Sequence, residues 1–206
     1  MREAGVPAEI VQVVLGSGAT LAPSLVGGAD YAMFTGSTEA GRSVAGLAGQ
    51  ALVPVSAELG GKNPMIVCED ASLARTVPGA IKACFSSAGQ LCISIERIYV
   101  HERIWDRFVP AFAAAAKKLR VGASFDWNLG MGPLVDAERL AEVSRDVNEA
   151  VAAGARVLAG GRALAEVSPT AYAPTVLTDV PDGVRLAREE TFGPVVSLYR
   201  VADDDE

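Results

Sequence analysis

Residues 31–50 read YAMFTGSTEAGRSVAGLAGQ. The run 31–34 is apolar and aromatic, the composition of a buried strand. Thr35, Gly36, Ser37 and Thr38 follow as a turn, and residues 38–50 read as a helix with small residues on one face. A strand that turns through Gly-Ser into a helix is a βα unit, the opening of a βαβ crossover. The turn also carries chemistry, because a helix N-terminus has free N–H groups and a partial positive charge that suit an anion or phosphate. Ser37 or Thr38 acting as the helix N-cap explains the same residues without a ligand.

Working outward, the alternation continues. Upstream, residues 10–15 (IVQVVL) are strand-like and end at Gly16, Ser17 and Gly18, before a short helix over 19–26. A dinucleotide fingerprint would need a third glycine at position 21, which is Leu21. Downstream, strands are expected over 52–57, 64–68, 97–101, 157–159, 173–177 and 194–201. Helices are expected over 71–86, where Leu73, Val77, Ile81 and Phe85 make one apolar stripe, over 102–119, and over 137–153, stopped at Gly154. Strands alternating with helices imply an α/β architecture with a mainly parallel sheet. The tail at 203–206 (DDDE) reads as a solvated charge run.

Composition narrows the function classes. With 18 basic and 25 acidic residues the formal charge is -7, which argues against a nucleic-acid partner. No apolar run approaches the roughly 18 residues of a membrane span, and residues 1–9 (MREAGVPAE) do not resemble a signal peptide. A cytoplasmic location with no membrane partner is therefore expected. The three cysteines, Cys68, Cys84 and Cys92, have no framework spacing, and a single histidine without a CxxC pair argues against a metal site.

Two further stretches carry reactive groups. In 58–64 (ELGGKNP), Glu58 ends a strand, the place where ligands gather in open α/β sheets, and a half-buried acid there can act as a general base. The alternative is a polar turn with Glu58 exposed and Gly60 or Gly61 at positive φ. In 88–97 (AGQLCISIER), Cys92 follows a glycine in a loop, where a thiol can be exposed and activated. Cys68, in a strand, and Cys84, on a helix, are assigned to packing. His101 lies at the end of a strand-like run beside charged residues and reads as a surface histidine. A Cys–His thiol enzyme would require it to reach Cys92.

Together these stretches resemble the aldehyde dehydrogenase superfamily: FTGSTEAGR, ELGGKNP, the GQLC segment and EETFGPV stand in the family's order. The resemblance covers the whole chain but only the middle of the family's sequence. It implies a partial Rossmann-like cofactor domain over 1–60 joined to a C-terminally incomplete α/β catalytic domain over 61–206. The implied reaction is NAD- or NADP-dependent oxidation of an aldehyde to a carboxylic acid through a cysteine thiohemiacetal and thioester. Carried over, Cys92 is the nucleophile, with its backbone N–H in the oxyanion site, and Glu58 activates the deacylating water. Gly36 and Ser37 lie at the cofactor pyrophosphate, and Leu59 and Gly60 line the nicotinamide pocket. Glu190 holds the nicotinamide ribose, Phe192 packs near the nicotinamide ring, and Arg97 is structural.

The wording AGQLCISIERIYV with ELGGKNP is similar to succinate-semialdehyde dehydrogenases, although Ser86 stands where many semialdehyde enzymes of the family place a substrate-binding arginine. The family is homo-oligomeric, and the strand that bridges its subunits has no counterpart here. Neither does the asparagine that completes the oxyanion site. Losing one such donor typically costs ~100-fold or more in rate, so the isolated chain is expected to be impaired. The alternative is a non-catalytic remnant that acts as an interaction subunit or has no activity.

Overall fold

The structure is a computed structural model that describes residues 2–7, 9–124 and 128–203. Positions 204–206 of the acidic tail lie outside the described residues. The chain forms two compact units, Met1–Leu59 and Gly60–Glu206.

The first unit contains α1 (Gly18–Gly27), β1 (Ala32–Gly36), α2 (Thr38–Ala51) and β2 (Val55–Leu59). β1 and β2 pair in parallel, with Phe34 opposite Ala57, Thr35 opposite Glu58 and Gly36 opposite Leu59. Ser37 caps α2, its Oγ accepting from the Ala40 N–H at 3.2 Å. Leu52 at φ 57° ends the helix in the left-handed form. The small face expected of α2 is its packing face: Gly41, Val44 and Ala48 are buried, and the Leu59 side chain lies so close to Gly41 that a Cβ there would meet it at 2.5 Å. The core of this unit is small, with Val26, Val44 and Ala48 its buried hydrophobics.

Two expectations fail in this unit. Residues 10–15 are not a strand: they run as irregular backbone with Ile10, Val11, Val13, Val14 and Leu15 exposed. β-type side chains cannot make a strand without an edge to pair with. β1 is also not buried, since its Met33 is 74 % exposed. Residues 33, 35, 56 and 58 share the sheet face turned away from Phe34, and all four are exposed.

The second unit is a five-stranded sheet of order β3-β4-β7-β6-β5, formed by β3 (Asn63–Val67), β4 (Ile95–His101), β5 (Arg156–Ala159), β6 (Thr175–Thr178) and β7 (Val195–Val201). All its pairings are parallel except β5 with β6. The α/β expectation with a mainly parallel sheet therefore holds. The helices are α3 (Leu73–Phe85), α4 (Glu102–Lys118), α5 (Ala137–Ala152) and α6 (Arg185–Arg188), the last a single turn without a sequence signal. Ile98, Val100, Val196 and Leu198 pack with Phe85, Phe108 and Phe112 in one large core. Phe108 and Phe112 stack with ring centroids 5.5 Å apart, and Phe85 stacks on Phe112 at 6.2 Å. No helix among the described residues is long and apolar enough to cross a membrane.

His101 is 8 % exposed, not a surface residue. Its Nδ1 caps α4 by accepting from the Arg103 N–H at 3.2 Å. Cys68, assigned to packing, is exposed just past the end of β3, whereas Cys84 is buried in α3 and burial pushes its thiol far up.

Candidate active site

In the first unit the candidate residues gather where β1 and β2 end. Gly36 and Leu59 are register partners, Ser37 starts α2, and Glu58 is exposed beside Leu59. The Phe34 ring covers Gly36 so closely that a Cβ there would meet it at 2.6 Å. Leu59 turns its side chain onto α2. Glu58 is exposed, as the polar-turn alternative has it and not half-buried, but it lies within β2, and neither Gly60 nor Gly61 has positive φ.

In the second unit the candidate residues gather where strands begin. Cys92 is exposed in the turn that leads into β4, closed by the Ser94 N–H donating to the Leu91 carbonyl at 2.9 Å. The Asn63 side-chain amide, at the start of β3, donates to the Cys92 carbonyl at 2.7 Å and to the Ser94 carbonyl at 3.0 Å. Before the turn, Ser87, Ala88 and Gly89 are left-handed in succession. A Cβ at Gly89 would lie 2.1 Å from the Gly193 carbonyl oxygen, so only glycine lets these backbones meet. Gln90 ties the loop down: its Nε2 donates to the Ser87 carbonyl at 2.9 Å, and its Oε1 accepts from the Val135 N–H at 2.9 Å.

The chain leading into β7 completes this edge. Glu190 is half-buried over Gly60 and Gly61. Its Oε1 accepts from the Gly61 N–H at 3.4 Å, and a Cβ on Gly60 would collide with its carboxylate at 2.0 Å. Burial raises the Glu190 carboxyl above its ordinary 4.5, and the Gly61 N–H partly offsets this. Phe192 is left-handed at φ 48°, and the Arg139 guanidinium lies 5.7 Å from its ring centroid. Gly60 and Glu190 are thus in contact, and Phe192 and Cys92 belong to the same unit. His101 stands at the far end of β4. Seven extended residues separate the two ends by roughly 20 Å, which excludes a Cys–His pair.

Residues 1–206 match the aldehyde dehydrogenase family. The chain belongs to that family.

A Mycobacterium tuberculosis protein provisionally named an NADP(+) succinate-semialdehyde dehydrogenase is 47 % identical over 203 residues, 98 % of this chain and 39 % of the relative. The glutarate-semialdehyde dehydrogenase of Pseudomonas putida is 39 % identical over 205 residues, 98 % of this chain and 42 % of the relative. Among solved structures, the betaine aldehyde dehydrogenase of Staphylococcus aureus in complex with NAD+ superposes with a TM-score of 0.94 at 31 % identity, covering 100 % of this chain and 42 % of that one. The chain thus spans about two fifths of the length of these relatives.

Of the groups that brace this aldehyde dehydrogenase edge, sequence reasoning named Arg97 as structural but missed Glu96 and Lys62. Glu96 is 3 % exposed in β4, with its carboxylate 2.5 Å from the Lys62 ammonium. Burial pushes Lys62 below its ordinary 10.5, and Glu96 opposes that shift. Arg97 donates through Nε and a terminal nitrogen to the Lys62 carbonyl at 3.1 and 2.7 Å. The missed signal was strand parity. Glu96 falls on the same face as Ile98 and Val100, so a strand begun at residue 95 rather than 97 exposes a lone carboxylate at an inward position.

Proposed function

We propose that this chain carries the thiol and part of the cofactor machinery of an NAD(P)-dependent aldehyde dehydrogenase, which oxidises an aldehyde to a carboxylic acid. The observation that supports it is one unit in which the exposed Cys92 turn and residues 190–192 enter neighbouring strands β4 and β7. The donor set suits a dinucleotide. Glu190 has the Gly61 N–H as its one hydrogen-bond partner among the described residues, which leaves oxygen lone pairs for a ribose diol. Gly60 presents bare backbone beneath it. Gly36 and Ser37 stand at the N-terminus of a fourteen-residue helix, suited to the pyrophosphate. Leu59 with Gly60 lines the nicotinamide site, and Phe192 packs near the nicotinamide ring.

The Cys92 thiolate attacks the aldehyde carbon and forms a thiohemiacetal, whose oxyanion is stabilised by the Cys92 backbone N–H. A bound nicotinamide dinucleotide supplies the acceptor for the departing hydride. Glu58 then takes a proton from water, which attacks the thioester, releases the acid and regenerates the thiol. The relatives' names favour a semialdehyde as substrate and NADP as cofactor.

The test is alkylation of Cys92 in the 206-residue protein with and without aldehyde and dinucleotide. Protection of Cys92 by succinate semialdehyde, with any slow formation of reduced dinucleotide by the impaired wild-type chain abolished in Cys92→Ser, is the expected result. Labelling indifferent to aldehyde, or turnover that survives Cys92→Ser, sinks the reading. The second reading, a non-catalytic remnant, is favoured by the bare apolar residues of the first unit. It predicts unprotected labelling and no heat on dinucleotide titration.

A further inference from the structure

The Glu96 carboxylate sits at a junction that neither the thiol chemistry nor the ribose contact uses. Its Oε1 accepts from the Thr191 N–H at 3.1 Å and the Phe192 N–H at 3.1 Å. Its Oε2 accepts from the Thr191 N–H at 2.9 Å and from Lys62 Nζ at 2.5 Å. Lys62 Nζ also donates to Thr191 Oγ1 at 3.1 Å. Two successive backbone N–H groups, the second on a left-handed residue, form a concavity that binds anions. Here the anion is internal. A phenylalanine at φ 48° is strained, because only glycine adopts that backbone freely. The paired N–H bonds to one buried carboxylate oppose that strain.

The pair also connects elements. Lys62 sits between Gly61, whose N–H holds Glu190, and Asn63, whose amide holds the Cys92 turn. Glu96 sits two residues past Ser94, the other end of the Asn63 brace. The lateral separation of the Glu190 carboxylate from the thiol turn is therefore set through Lys62 and Glu96. A carboxylate 3 % exposed carries a high desolvation cost, which its ammonium and N–H partners offset.

We infer that Glu96 and Lys62 are a positioning pair, whose carboxylate in the Thr191–Phe192 N–H concavity fixes residues 190–192 for the cofactor. The local ordering stands on these contacts alone; its consequence for the cofactor rests on the Proposed function reading of Glu190. Glu96→Gln tests both. The amide keeps one acceptor oxygen but turns N–H donors toward Lys62 or the Thr191 N–H.

Hydrogen exchange of the 206-residue protein is read at the Thr191 and Phe192 amides relative to those of β7. Glu96→Gln should speed exchange at 191 and 192 by about tenfold, the loss of roughly one charged hydrogen bond, and leave β7 unchanged. Should Glu96→Gln fail to fold, Lys62→Met is expected to give the same local pattern with smaller amplitude. Unchanged exchange at 191 and 192, or exchange that rises equally along β3, β4 and β7, overturns the inference. The second readout is dinucleotide affinity, expected to weaken about tenfold in Glu96→Gln, with the Cys92 alkylation rate changed less than about twofold. If wild type binds no dinucleotide, the ribose role of Glu190 fails, and local exchange alone decides the pair. If wild type binds it and Glu96→Gln binds as tightly, the positioning role is overturned.

Discussion

The unit ending at Leu59 and the unit beginning at Gly60 place their candidate residues at opposite ends of parallel strands. In the first they stand at the carboxyl ends of β1 and β2, beside the capped start of α2. In the second they stand at the amino ends of β3, β4 and β7, away from the starts of α3 and α4. A helix N-terminus provides free N–H groups from local sequence alone, so the first arrangement needs few long-range contacts. The amino ends have no such provision. Their loops are held by side chains that cross between strands: Asn63 to residues 92 and 94, Arg97 to Lys62, and Glu96 to residues 191 and 192.

The two units differ as much in burial. The second packs three stacked phenylalanines beneath a five-stranded sheet; the first buries three small aliphatic side chains beneath two strands and leaves Leu15 89 % exposed. The same kind of apolar pattern thus yields a core only where neighbours cover it. A two-stranded sheet is marginal by itself in water.

The largest expected effect follows from that contrast. Phe112→Ala should cost the second unit about 3–5 kcal/mol by denaturant unfolding, while Phe34→Ala, in a half-covered position, should cost the first less than about 1.5 kcal/mol. Equal losses would break the comparison.

Next comes Asn63→Ala, which strips one donor group from two carbonyls of the thiol turn. A loss of about 1–3 kcal/mol is expected, with a changed alkylation rate at Cys92 and no change at exposed Cys68. Equal changes at both thiols would mean that Asn63 does not brace the turn specifically. Smaller again is Ser37→Ala. Loss of the α2 cap should cost about 1 kcal/mol, seen as faster exchange in the first turn of α2 with the second unit untouched.

The smallest effect sharpens the view of the Glu190 edge. Because burial raises its carboxyl above 4.5, folding favours the protonated form. The stabilisation is complete below 4.5 and is lost as pH rises through the folded value. Glu190→Gln should therefore raise the melting temperature slightly at neutral pH, an advantage that shrinks as pH falls toward 4.5. A constant difference across that range would place the effect elsewhere.

Several features were legible in the sequence because they are local. The turn and capped helix within 31–50 follow from a serine or threonine at the cap position, and α3 follows from its apolar stripe. Cys92 stood out as a thiol in a glycine loop, and it is exposed there. Other features misled for one shared reason. Residues 10–15 have every local mark of a strand, yet lack a neighbouring edge. His101 sits among charged residues, yet its ring is drawn inward to cap α4. Cys68 lies next to an apolar run, yet falls one residue beyond the strand it was assigned to.

By itself the sequence determined the α/β alternation, the stripe of α3, a cap at Ser37 or Thr38 and the reactive residue types, since each depends on residues a few positions apart. Only the tertiary structure decided that Glu190 folds over Gly60 and Gly61, that the Glu96 carboxylate fills the concavity before Phe192, and that Gly89 meets the Gly193 backbone. These contacts join residues roughly a hundred positions apart. They exist because β3, β4 and β7 lie side by side, an adjacency that no local periodicity encodes.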